Sequence, residues 1–559
     1  MRGRAGLQEI IICMNTNFNI IDYLKKAAEE YPDRPALFMS RESKETGITF
    51  KGLWGMVDSF SVGLKTKGLR PGDRCVIMIP MSIDLYVALL GIIKMGGVAV
   101  FVDPWITYQQ IAAFCVFAKP KGFIGIPKSH YLRFLDKRLL FIPLTFSTEP
   151  VFLSCPAKYN LRRFISQYRG DHDIYSVSEN DPALITFTSG SSGTPKGANR
   201  THGFLSAQYK ALSSEFQYDS NNIDMPMFPV FALSNLAAKI PSIIPDMDFR
   251  NVNEVNAEGI IRQMNAHKVT NCTASPPFVD RLAEYVQSAY DRPHFLRKIL
   301  TGGGPVTTSQ LKQWQKAFPG IKIDIVYGST EAEPVAHISL EQRLQTDSAG
   351  KGGFCVGQPG HLIKCKVIKI TKEPVVWKGT WEQLECAQGE IGELIVTGDH
   401  VCKDYFNNLQ AVQENKIIDS DRAVWHRMGD TGYFNGESFW LAGRVHSTII
   451  RDGQLFHAQL VEQAISELTP EVKKIAALGL PDKNINERLI AVLQIQKGLV
   501  SAKDILKECR EKNFIVDKIL LTNSPLPLDP RHHSKINYPI LRRRILNNEL
   551  EIYDTAALE

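Results

Sequence analysis

A stretch of glycine and hydroxyl side chains surrounds a single lysine between Ile185 and Leu205, where the sequence reads ITFTSGSSGTPKGANRTHGFL. The glycines let the backbone turn tightly and approach an anion. The hydroxyl groups can hydrogen-bond phosphate oxygens, and Lys196 adds a positive charge. The stretch therefore predicts a phosphate-binding loop that consists of Thr188, Ser189, Gly190, Ser191, Ser192, Gly193, Thr194 and Lys196.

The residues around this loop indicate which kind of phosphate-binding loop it is. The apolar run ALITFT before it is typical of a strand, and Thr201 can cap the helix that follows. A Walker loop is excluded, because its pattern requires glycine where Pro195 stands and serine or threonine where Gly197 stands. A flexible polar surface loop is the alternative, and the regular placement directly after a strand argues against it.

The segment TFTSGSSGTPKG resembles the phosphate loop of the adenylate-forming superfamily, which comprises acyl-CoA synthetases, luciferases and the adenylation domains of peptide synthetases. A second segment, YGSTE, resembles the next signature of that superfamily. The resemblance implies that the Tyr327 ring stacks on adenine, that Thr330 contacts the α-phosphate and that Glu331 binds Mg²⁺. Gly328 and Ser329 complete this nucleotide-binding motif. A strand-end turn with a solvated glutamate is the alternative.

Three further segments resemble superfamily motifs and follow in the same order. In GGGPV, the backbone that would face adenine belongs to Gly303, Gly304 and Pro305. In HRMGDTGYF, the resemblance implies that Asp430 accepts hydrogen bonds from both ribose hydroxyls, with Met428 in place of the usual threonine. In AGR, Arg444 is expected near the ribose and the phosphates.

The C-terminal part carries two more resemblances. The segment GRVHSTIIRDGQLFHAQLVE keeps the superfamily's spacing and places His446 at the hinge position, where aspartate or lysine is usual. The segment PLDPRHHSKI resembles the terminal motif whose lysine bridges the carboxylate and the α-phosphate, which makes Lys535 a catalytic candidate. Ser534 replaces the usual glycine there, and a lysine in an exposed tail is the alternative.

The elements that must position these residues alternate between helix and strand signals along the large N-terminal part of the chain. Examples are the helical pattern of NIIDYLKKAAEEY and the short buried strands RCVIMIP and GVAVFV. This alternation predicts an α/β fold with mostly parallel sheets covered by helices. After about residue 445 the pattern predicts a small, compact α+β unit. The resemblance implies that domain 1–443 binds AMP and that domain 444–559 is a mobile lid that closes over it.

Composition sets further bounds. The chain of 559 residues is 44% hydrophobic and carries a net charge of +6, and its one conspicuous basic run, residues 542–544, is typical of a solvated helix face. We therefore expect no nucleic-acid partner. The ten cysteines form no CxxC pair and indicate reduced thiols in a cytoplasmic protein. The first residues are not typical of a signal peptide, and Lys94 interrupts the most apolar stretch, which argues against a membrane span.

The resemblance implies ATP- and Mg²⁺-dependent formation of an acyl-adenylate, with Lys196, Thr330 and Lys535 in catalytic roles. The segment Pro226–Glu254, which contains FPVFAL and IPDMD, resembles the β-lactone synthetases of olefin biosynthesis. Those enzymes activate a β-hydroxy fatty acid, and Phe228, Phe231 and Leu233 are candidates for an acyl pocket here. A fatty acyl-CoA ligase, transfer to a carrier protein and a silent nucleotide-binding protein are the alternatives. Gly453 keeps a loop that CoA ligases use.

Overall fold

The computed structural model describes residues 18–41, 44–102, 108–149, 156–188, 196–289, 291–346, 352–469, 471–472, 474–496, 498–512, 514–528 and 535–557. The helices are α1 Asp22–Glu30, α2 Phe50–Thr66, α3 Ile83–Lys94, α4 Tyr108–Ala118, α5 Pro127–His130, α6 Lys137–Leu140, α7 Leu161–Ile165, α8 His202–Phe216, α9 Pro229–Ala237, α10 Ala257–Ala266, α11 Pro276–Ser288, α12 Thr308–Ala317, α13 Leu340–Thr346, α14 Leu409–Asn415, α15 Ala458–Leu468, α16 Ala502–Glu511 and α17 Tyr538–Leu546. Short 3₁₀ helices span Tyr131–Leu135, Val252–Glu254 and Val445–Ser447.

The strands form three sheets. They are β1 Pro35–Arg41, β2 Lys44–Thr49, β3 Arg74–Met78, β4 Val98–Val102, β5 Gly122–Gly125, β6 Leu144–Ser147, β7 Tyr159–Asn160, β8 Pro182–Thr188, β9 Lys196–Thr201, β10 Asp224–Pro226, β11 Ser242–Ile244, β12 Asn271–Ala274, β13 Lys298–Gly302 and β14 Lys322–Ser329. They continue with β15 Ala332–Ser339, β16 Phe354–Pro359, β17 Lys364–Ile368, β18 Gly392–Thr397, β19 Lys416–Ile418, β20 Val424–Asn435, β21 Ser438–Arg444, β22 Thr448–Arg451, β23 Gln454–His457, β24 Lys474–Asp482, β25 Asn486–Gln494, β26 Lys518–Thr522 and β27 Asp554–Ala557.

The first sheet has the order β7-β6-β5-β3-β4-β8-β9, and every pairing in it except β8 with β9 is parallel. The large sheet has the order β17-β18-β20-β21-β16-β15-β14-β13-β12-β10-β11-β1-β2. It is parallel from β11 to β14 and antiparallel from β14 through β21. The prediction of an α/β fold with a large N-terminal body is confirmed, and the first sheet is mostly parallel as expected. The large sheet is mixed, because its strands from β14 through β21 follow one another as antiparallel neighbours.

The third sheet lies at the C-terminal end of the chain, between Thr448 and Ala557, with the order β23-β22-β25-β26-β27 and β24 paired to β25. The contacts that join this part to the large sheet include one between the Thr431 hydroxyl and Nδ1 of His457 at 3.2 Å and a hydrogen bond from the Gly353 amide to Oε1 of Gln463 at 2.8 Å. The domain boundary at residues 443/444 and a hinge at His446 stay predictions.

Local sequence explains the elements next to the site. The Ser82 hydroxyl caps α3 by accepting from the Leu85 amide at 3.3 Å, and the Thr201 hydroxyl caps α8 by accepting from the Phe204 amide at 3.1 Å. The most apolar stretch, which Lys94 interrupts, forms the buried helix α3 and the strand β4. Lys94 ends that helix fully buried, because Asp58 compensates its charge at 3.0 Å.

In the part of the chain that the structure describes, no helix is both long and apolar enough to cross a membrane. The described cysteines are all free thiols.

Candidate active site

A cleft of about 3560 Å³ runs between the sheets and collects most of the predicted site residues. Its lining includes Lys196, Gly303, Gly304, Pro305, Tyr327, Gly328, Ser329, Thr330, Glu331, Asp430, Arg444 and Lys535. These residues are spread over more than three hundred positions of sequence, so the fold is what brings them together. The cleft therefore places the residues to which sequence assigns roles in one connected site.

The phosphate loop begins and ends at neighbouring points. Antiparallel strands β8 and β9 pair Thr188 with Lys196, so the two ends of the loop meet at one edge of the first sheet. Ser189, Gly190, Ser191, Ser192, Gly193 and Thr194 lie outside the described residues. The Lys196 ammonium is paired with the Glu414 carboxylate at 3.4 Å, and both side chains are mostly buried.

The turn between β14 and β15 presents Thr330 and Glu331. The guanidinium of Arg200, a buried residue on β9, donates to the Thr330 carbonyl at 2.8 Å and so ties this turn to the strand that leaves the phosphate loop. The Tyr405 hydroxyl donates to Oε1 of Glu331 at 3.0 Å. The Cys402 amide donates to the Glu331 backbone carbonyl at 2.7 Å, which fixes the main chain as well as the side chain.

Two buried basic side chains lie behind Glu331. Lys416 donates to the Cys402 carbonyl, and its ammonium lies 5.1 Å from the centroid of the Tyr405 ring. Burial lowers the pKa of His426 to about 3, with the Lys416 charge as a further cause, so this imidazole is neutral at physiological pH.

The Glu331 carboxyl is ionised in this environment. Burial alone would raise its pKa, but His426, Lys416 and the hydrogen bond from Tyr405 together bring the pKa below its ordinary value. Because His426 is neutral, we assign most of the charge stabilisation to Lys416.

An ionised carboxylate at the cleft wall fits Mg²⁺. The described residues contain no group of three or more His, Cys, Asp or Glu side chains that could hold a metal ion by themselves. Magnesium is commonly held by one or two carboxylates together with substrate phosphates and water. Glu331 would therefore supply the protein ligand, and the phosphates of a bound nucleotide would complete the site.

The other end of the cleft is organised around Asp430. The Tyr327 hydroxyl donates to Oδ2 of Asp430 at 2.7 Å, and the Arg444 guanidinium donates to Oδ1. Asp430 raises the pKa of Arg444. Burial and the neighbouring Asp430 charge raise the pKa of Tyr327, so the phenol stays protonated and keeps its role as donor.

The Tyr327 ring, which the resemblance assigns to adenine, is held by aromatic and backbone neighbours. One side of the Tyr327 ring stacks on Phe439, with centroids 6.2 Å apart and ring planes 29° from parallel. Strand β13 pairs with β14, ends at Gly302 and leads into the segment Gly303–Pro305. Gly303 has a φ of 84°, a backbone conformation that favours glycine. The Ser329 hydroxyl lies 3.9 Å from the sulfur of Met428, the residue that replaces the usual threonine. Stacking of adenine on Tyr327 stays a prediction.

The C-terminal candidates also face the cleft. Lys535 is exposed and directly precedes Ile536, which forms a bridge to Leu528 and packs against buried residues of the third sheet. His446 lies in the 3₁₀ turn Val445–Ser447 at the cleft wall. Burial and the adjacent Arg444 charge lower the pKa of His446.

The predicted acyl residues line the same cleft. Phe228 and Phe231, at the start of α9, have ring centroids 6.1 Å apart, and Leu233 lies on the same helix. Phe231 is buried against Leu300 and Val326 of the large sheet. An apolar wall at this position suits an acyl chain.

A histidine could assist the attack of a substrate hydroxyl, but His202, His337 and His457 do not line the cleft and are engaged elsewhere. Nδ1 of His202 accepts from the Ile20 amide, His337 pairs with Glu215, and His457 contacts Thr431. His532 lies outside the described residues. The histidines that line the cleft are instead His426 and His446.

Sequence reasoning missed a group of residues around Glu331 and Lys196, namely Arg200, Tyr405, Glu414, Lys416 and His426. Arg200 stands inside the glycine-rich stretch but belongs to no pattern that names it. Tyr405, Glu414 and Lys416 come from the connection around α14, where neither helical nor strand periodicity marks them. His426 begins the segment HRMGDTGYF on β20, but the resemblance gives it no role there. The one signal for Lys416 in the sequence was its position at the start of the short apolar strand β19.

Comparison with known proteins identifies the family. The AMP-binding enzyme family matches residues 24–406. The chain is 29% identical over 553 residues to an olefin beta-lactone synthetase of Xanthomonas campestris pv. campestris. The match covers 94% of this chain and 96% of that protein. It is 25% identical over 515 residues to a 2-succinylbenzoate–CoA ligase of Bacillus licheniformis, covering 88% of this chain and 93% of that protein.

A solved structure gives the same fold. The O-succinylbenzoate coenzyme A synthetase of Bacillus subtilis, in complex with AMP, superposes with a TM-score of 0.73 at 20% identity, covering 94% of this chain and 97% of that one. At this identity the likeness shows the fold alone. The family match spans more than half of the sequence, and this chain therefore belongs to the AMP-binding enzyme family.

Proposed function

We propose that this enzyme uses ATP to convert a carboxylic acid of the fatty-acid type into an acyl-adenylate, with release of pyrophosphate. The observation that carries the proposal is the cleft in which Lys196, Glu331 and Lys535 meet both the Asp430 cluster and the apolar wall of α9. A cation-rich segment, a nucleotide end and an apolar end in one cavity are what a reaction between ATP and a lipophilic acid requires.

The residues address the main obstacle to adenylation, which is repulsion between a carboxylate and a triphosphate. The acid needs no general base, because carboxylic acids with pKa values near 4 are already ionised at neutral pH. Lys196 is positioned to bind the β- and γ-phosphates once Glu414 releases it, while Thr330 and Lys535 hold the α-phosphate and the attacking carboxylate. Mg²⁺ on Glu331 would neutralise phosphate charge.

The nucleotide would be oriented from its other end. Asp430 has both carboxylate oxygens in hydrogen bonds to Tyr327 and Arg444, and each oxygen keeps a lone pair for a ribose hydroxyl. The half-buried Tyr327 ring and the Gly303–Pro305 backbone supply flat surfaces for adenine. Cytoplasmic location is part of this proposal.

We propose a β-hydroxy fatty acid as substrate and intramolecular lactone closure as the second step. The β-hydroxyl oxygen would form a bond to the acyl carbonyl carbon, the bond from that carbon to the AMP oxygen would break, and the hydroxyl proton would pass to water or to the departing phosphate. The support is the segment from Pro226 to Glu254, which lines the cleft at Phe228, Phe231 and Asp246, and the similarity to an olefin beta-lactone synthetase.

The test incubates the enzyme with ATP, Mg²⁺ and a 3-hydroxy fatty acid, with and without CoA, and identifies the products by mass spectrometry. AMP and a dehydrated acid that form without CoA are the expected products. A non-hydroxylated acid of the same length is the matched control and should stop at the adenylate. A strict requirement for CoA would contradict lactone closure while leaving adenylation intact.

A fatty acyl-CoA ligase is the second candidate, in which the CoA thiol attacks the adenylate carbonyl. Its support is the exposed turn between β22 and β23, where Asp452 and Gly453 adopt φ values of 50° and 74°, together with the similarity to a CoA ligase. An acyl carrier protein could present the same thiol. Formation of an acyl thioester in the same assay would identify this outcome.

A further inference from the structure

A cluster of large apolar side chains faces solvent beside the cleft. The 3₁₀ helix Tyr131–Leu135 and helix α6 carry it, and we call it the aromatic ridge. The side chain exposure reaches 83% at Phe141 and 59% at Phe134. The ridge consists of Tyr131, Phe134, Leu135, Leu140 and Phe141. Contiguous exposed apolar groups of this size usually mark an interaction site.

The ridge is held firmly from below. Leu132, Leu139 and Ile142 are buried in the same core as the first sheet, so apolar residues of this segment divide cleanly into an inner and an outer set. The buried Arg133 side chain donates to the carbonyls of Leu139 and Leu140 at 3.1 Å and to that of Pro156 at 2.9 Å. The outer set is therefore presented by an anchored backbone and is not the product of a loosely packed segment.

The chain segment that carries the ridge is strongly basic. Residues 119–169 contain ten lysines and arginines and two acidic residues, whereas the whole chain has a net charge of only +6. The positive charge of the protein is thus concentrated in this segment. Lys128 and Lys137 are exposed on the helices that flank the ridge, and Lys158 donates to the Pro143 carbonyl at 3.0 Å, two residues from Phe141.

The ridge also continues into the cleft. Tyr131 and Leu135 of the ridge line the cleft, as do the exposed Tyr108 and Lys128 next to them. A surface bound to the ridge would therefore adjoin the same cleft that the apolar wall of α9 lines.

We propose that the aromatic ridge and its basic border dock this enzyme on an anionic lipid surface. Aromatic and leucine side chains enter the boundary between headgroups and acyl chains, while lysines bind anionic headgroups. The side chains of the ridge are 37–83% exposed, so they can enter a deformable lipid surface, whereas an acidic protein would need a matching pocket for them. Docking on lipid goes beyond the proposed function. The further idea that the membrane delivers a lipophilic acid to the cleft rests on the proposed function.

The test is sedimentation of the full chain with vesicles of phosphatidylcholine alone and of phosphatidylcholine with about 30% phosphatidylglycerol. We expect binding to the anionic vesicles, with a partition coefficient that falls at least tenfold between 50 mM and 500 mM salt because screening weakens headgroup attraction. Absence of binding to anionic vesicles at low salt would overturn the proposal.

Variants identify the surface. Phe134→Ser and Phe141→Ser should each lower the partition coefficient about tenfold, because each removes an apolar group from the interface. Lys137→Gln and Lys158→Gln should each lower it about fivefold. Phe295→Ser and Lys503→Gln, which alter an exposed phenylalanine and an exposed lysine outside the ridge, are the matched controls and should leave it unchanged. Equal effects of ridge and control variants would overturn the assignment.

Two further arms separate the alternatives. Ridge-dependent binding of an acidic acyl carrier protein without vesicle binding would make the ridge a protein-docking surface and overturn the lipid proposal. In adenylation assays, the ridge variants should lose rate with a long-chain acid supplied in anionic vesicles and retain it with a water-soluble short-chain acid. If no acid is adenylated, the proposed function fails while vesicle binding still decides the docking proposal.

Discussion

The phenol of Tyr327 donates a 2.7 Å hydrogen bond to the carboxylate of Asp430, a residue 103 positions further along the chain. Strands β20 and β21 place Arg444 directly opposite Asp430 in register, so the same carboxylate also receives the guanidinium. Three motifs that sequence treats separately thus form one hydrogen-bonded unit. Asp430 is held in orientation by charged and neutral donors before any nucleotide arrives.

Tyr327→Phe tests this unit. The ring and its stacking on Phe439 remain, and only the donor to Asp430 is lost, which should raise the KM for ATP about tenfold because hydrogen bonds to charged groups contribute about 1.5–3 kcal/mol. Steady-state pyrophosphate release at varied ATP measures it. Tyr553→Phe removes a tyrosine donor to the Ile495 carbonyl in the third sheet and is the matched control. An unchanged KM would show that the bond has no part in nucleotide binding.

The ion pair between Lys196 and Glu414 competes with phosphate for the lysine. Glu414→Gln should therefore lower the KM for ATP about two- to fivefold, the scale of one partly exposed ion pair, with little change in kcat. Lys196→Ala should instead raise the KM strongly. A higher KM in Glu414→Gln would mean that Glu414 orients Lys196 for the phosphates and does not compete with them.

Tyr405 positions the proposed magnesium ligand. In Tyr405→Phe the ring stays beside Lys416 but the 3.0 Å hydrogen bond to Glu331 is lost, so the Mg²⁺ concentration for half-maximal pyrophosphate release should rise about three- to tenfold. Binding of Mn²⁺ in the presence of a non-hydrolysable ATP analogue, followed by electron paramagnetic resonance, provides a readout independent of activity. Loss of turnover at unchanged metal affinity would speak against this role.

Lys535 is the predicted bridge between carboxylate and α-phosphate. Lys535→Ala should cut adenylation by about two orders of magnitude or more, the scale of one charged contact in a transition state. The lysine lies at the cleft but is exposed, so folding should be unaffected and melting temperature should match that of Lys507→Ala, a control at an exposed lysine. Near-normal pyrophosphate release from Lys535→Ala would remove the residue from the mechanism.

The elements of the fold follow from local pattern to a large extent. Helices such as α1 and α3, the caps at Ser82 and Thr201 and the short buried strands were all predictable, because periodicity and capping act over a few residues. The nucleotide residues were found through motifs. Their partners were not, since the contacts of Arg200 with Thr330 and of Tyr405 with Glu331 depend on how distant strands meet.

The buried charges illustrate the same limit. Lys416 follows a short helix in a polar connection, where sequence suggests an exposed lysine, and only the packing of β19 against β20 places it behind Glu331. The aromatic ridge is the opposite case. Its phenylalanines look like core residues in sequence, and the fold turns them outward because Leu132, Leu139 and Ile142 already fill the interior.

Glu462 gives the third sheet a pH-dependent stability. Its carboxyl accepts from the Tyr538 hydroxyl at 2.6 Å and from the Ala477 amide at 2.9 Å, and joins α15 to α17 and β24. Burial raises its pKa to about 7, from an ordinary value of 4.5. Between these values the folded protein keeps a proton that the unfolded chain has lost, so the stabilisation is complete below pH 4.5 and disappears as the pH rises through 7.

Glu462→Gln should abolish this dependence, because the amide oxygen can still accept from Tyr538 and Ala477 but does not titrate. From pH 5 to pH 8 the wild-type chain should lose about 2–3 kcal/mol of unfolding free energy more than the variant does. Urea titrations at both pH values measure the difference, and Glu511→Gln, at an exposed position, is the control. Parallel pH profiles for the wild type and Glu462→Gln would show that Glu462 is ionised in the folded protein throughout this range.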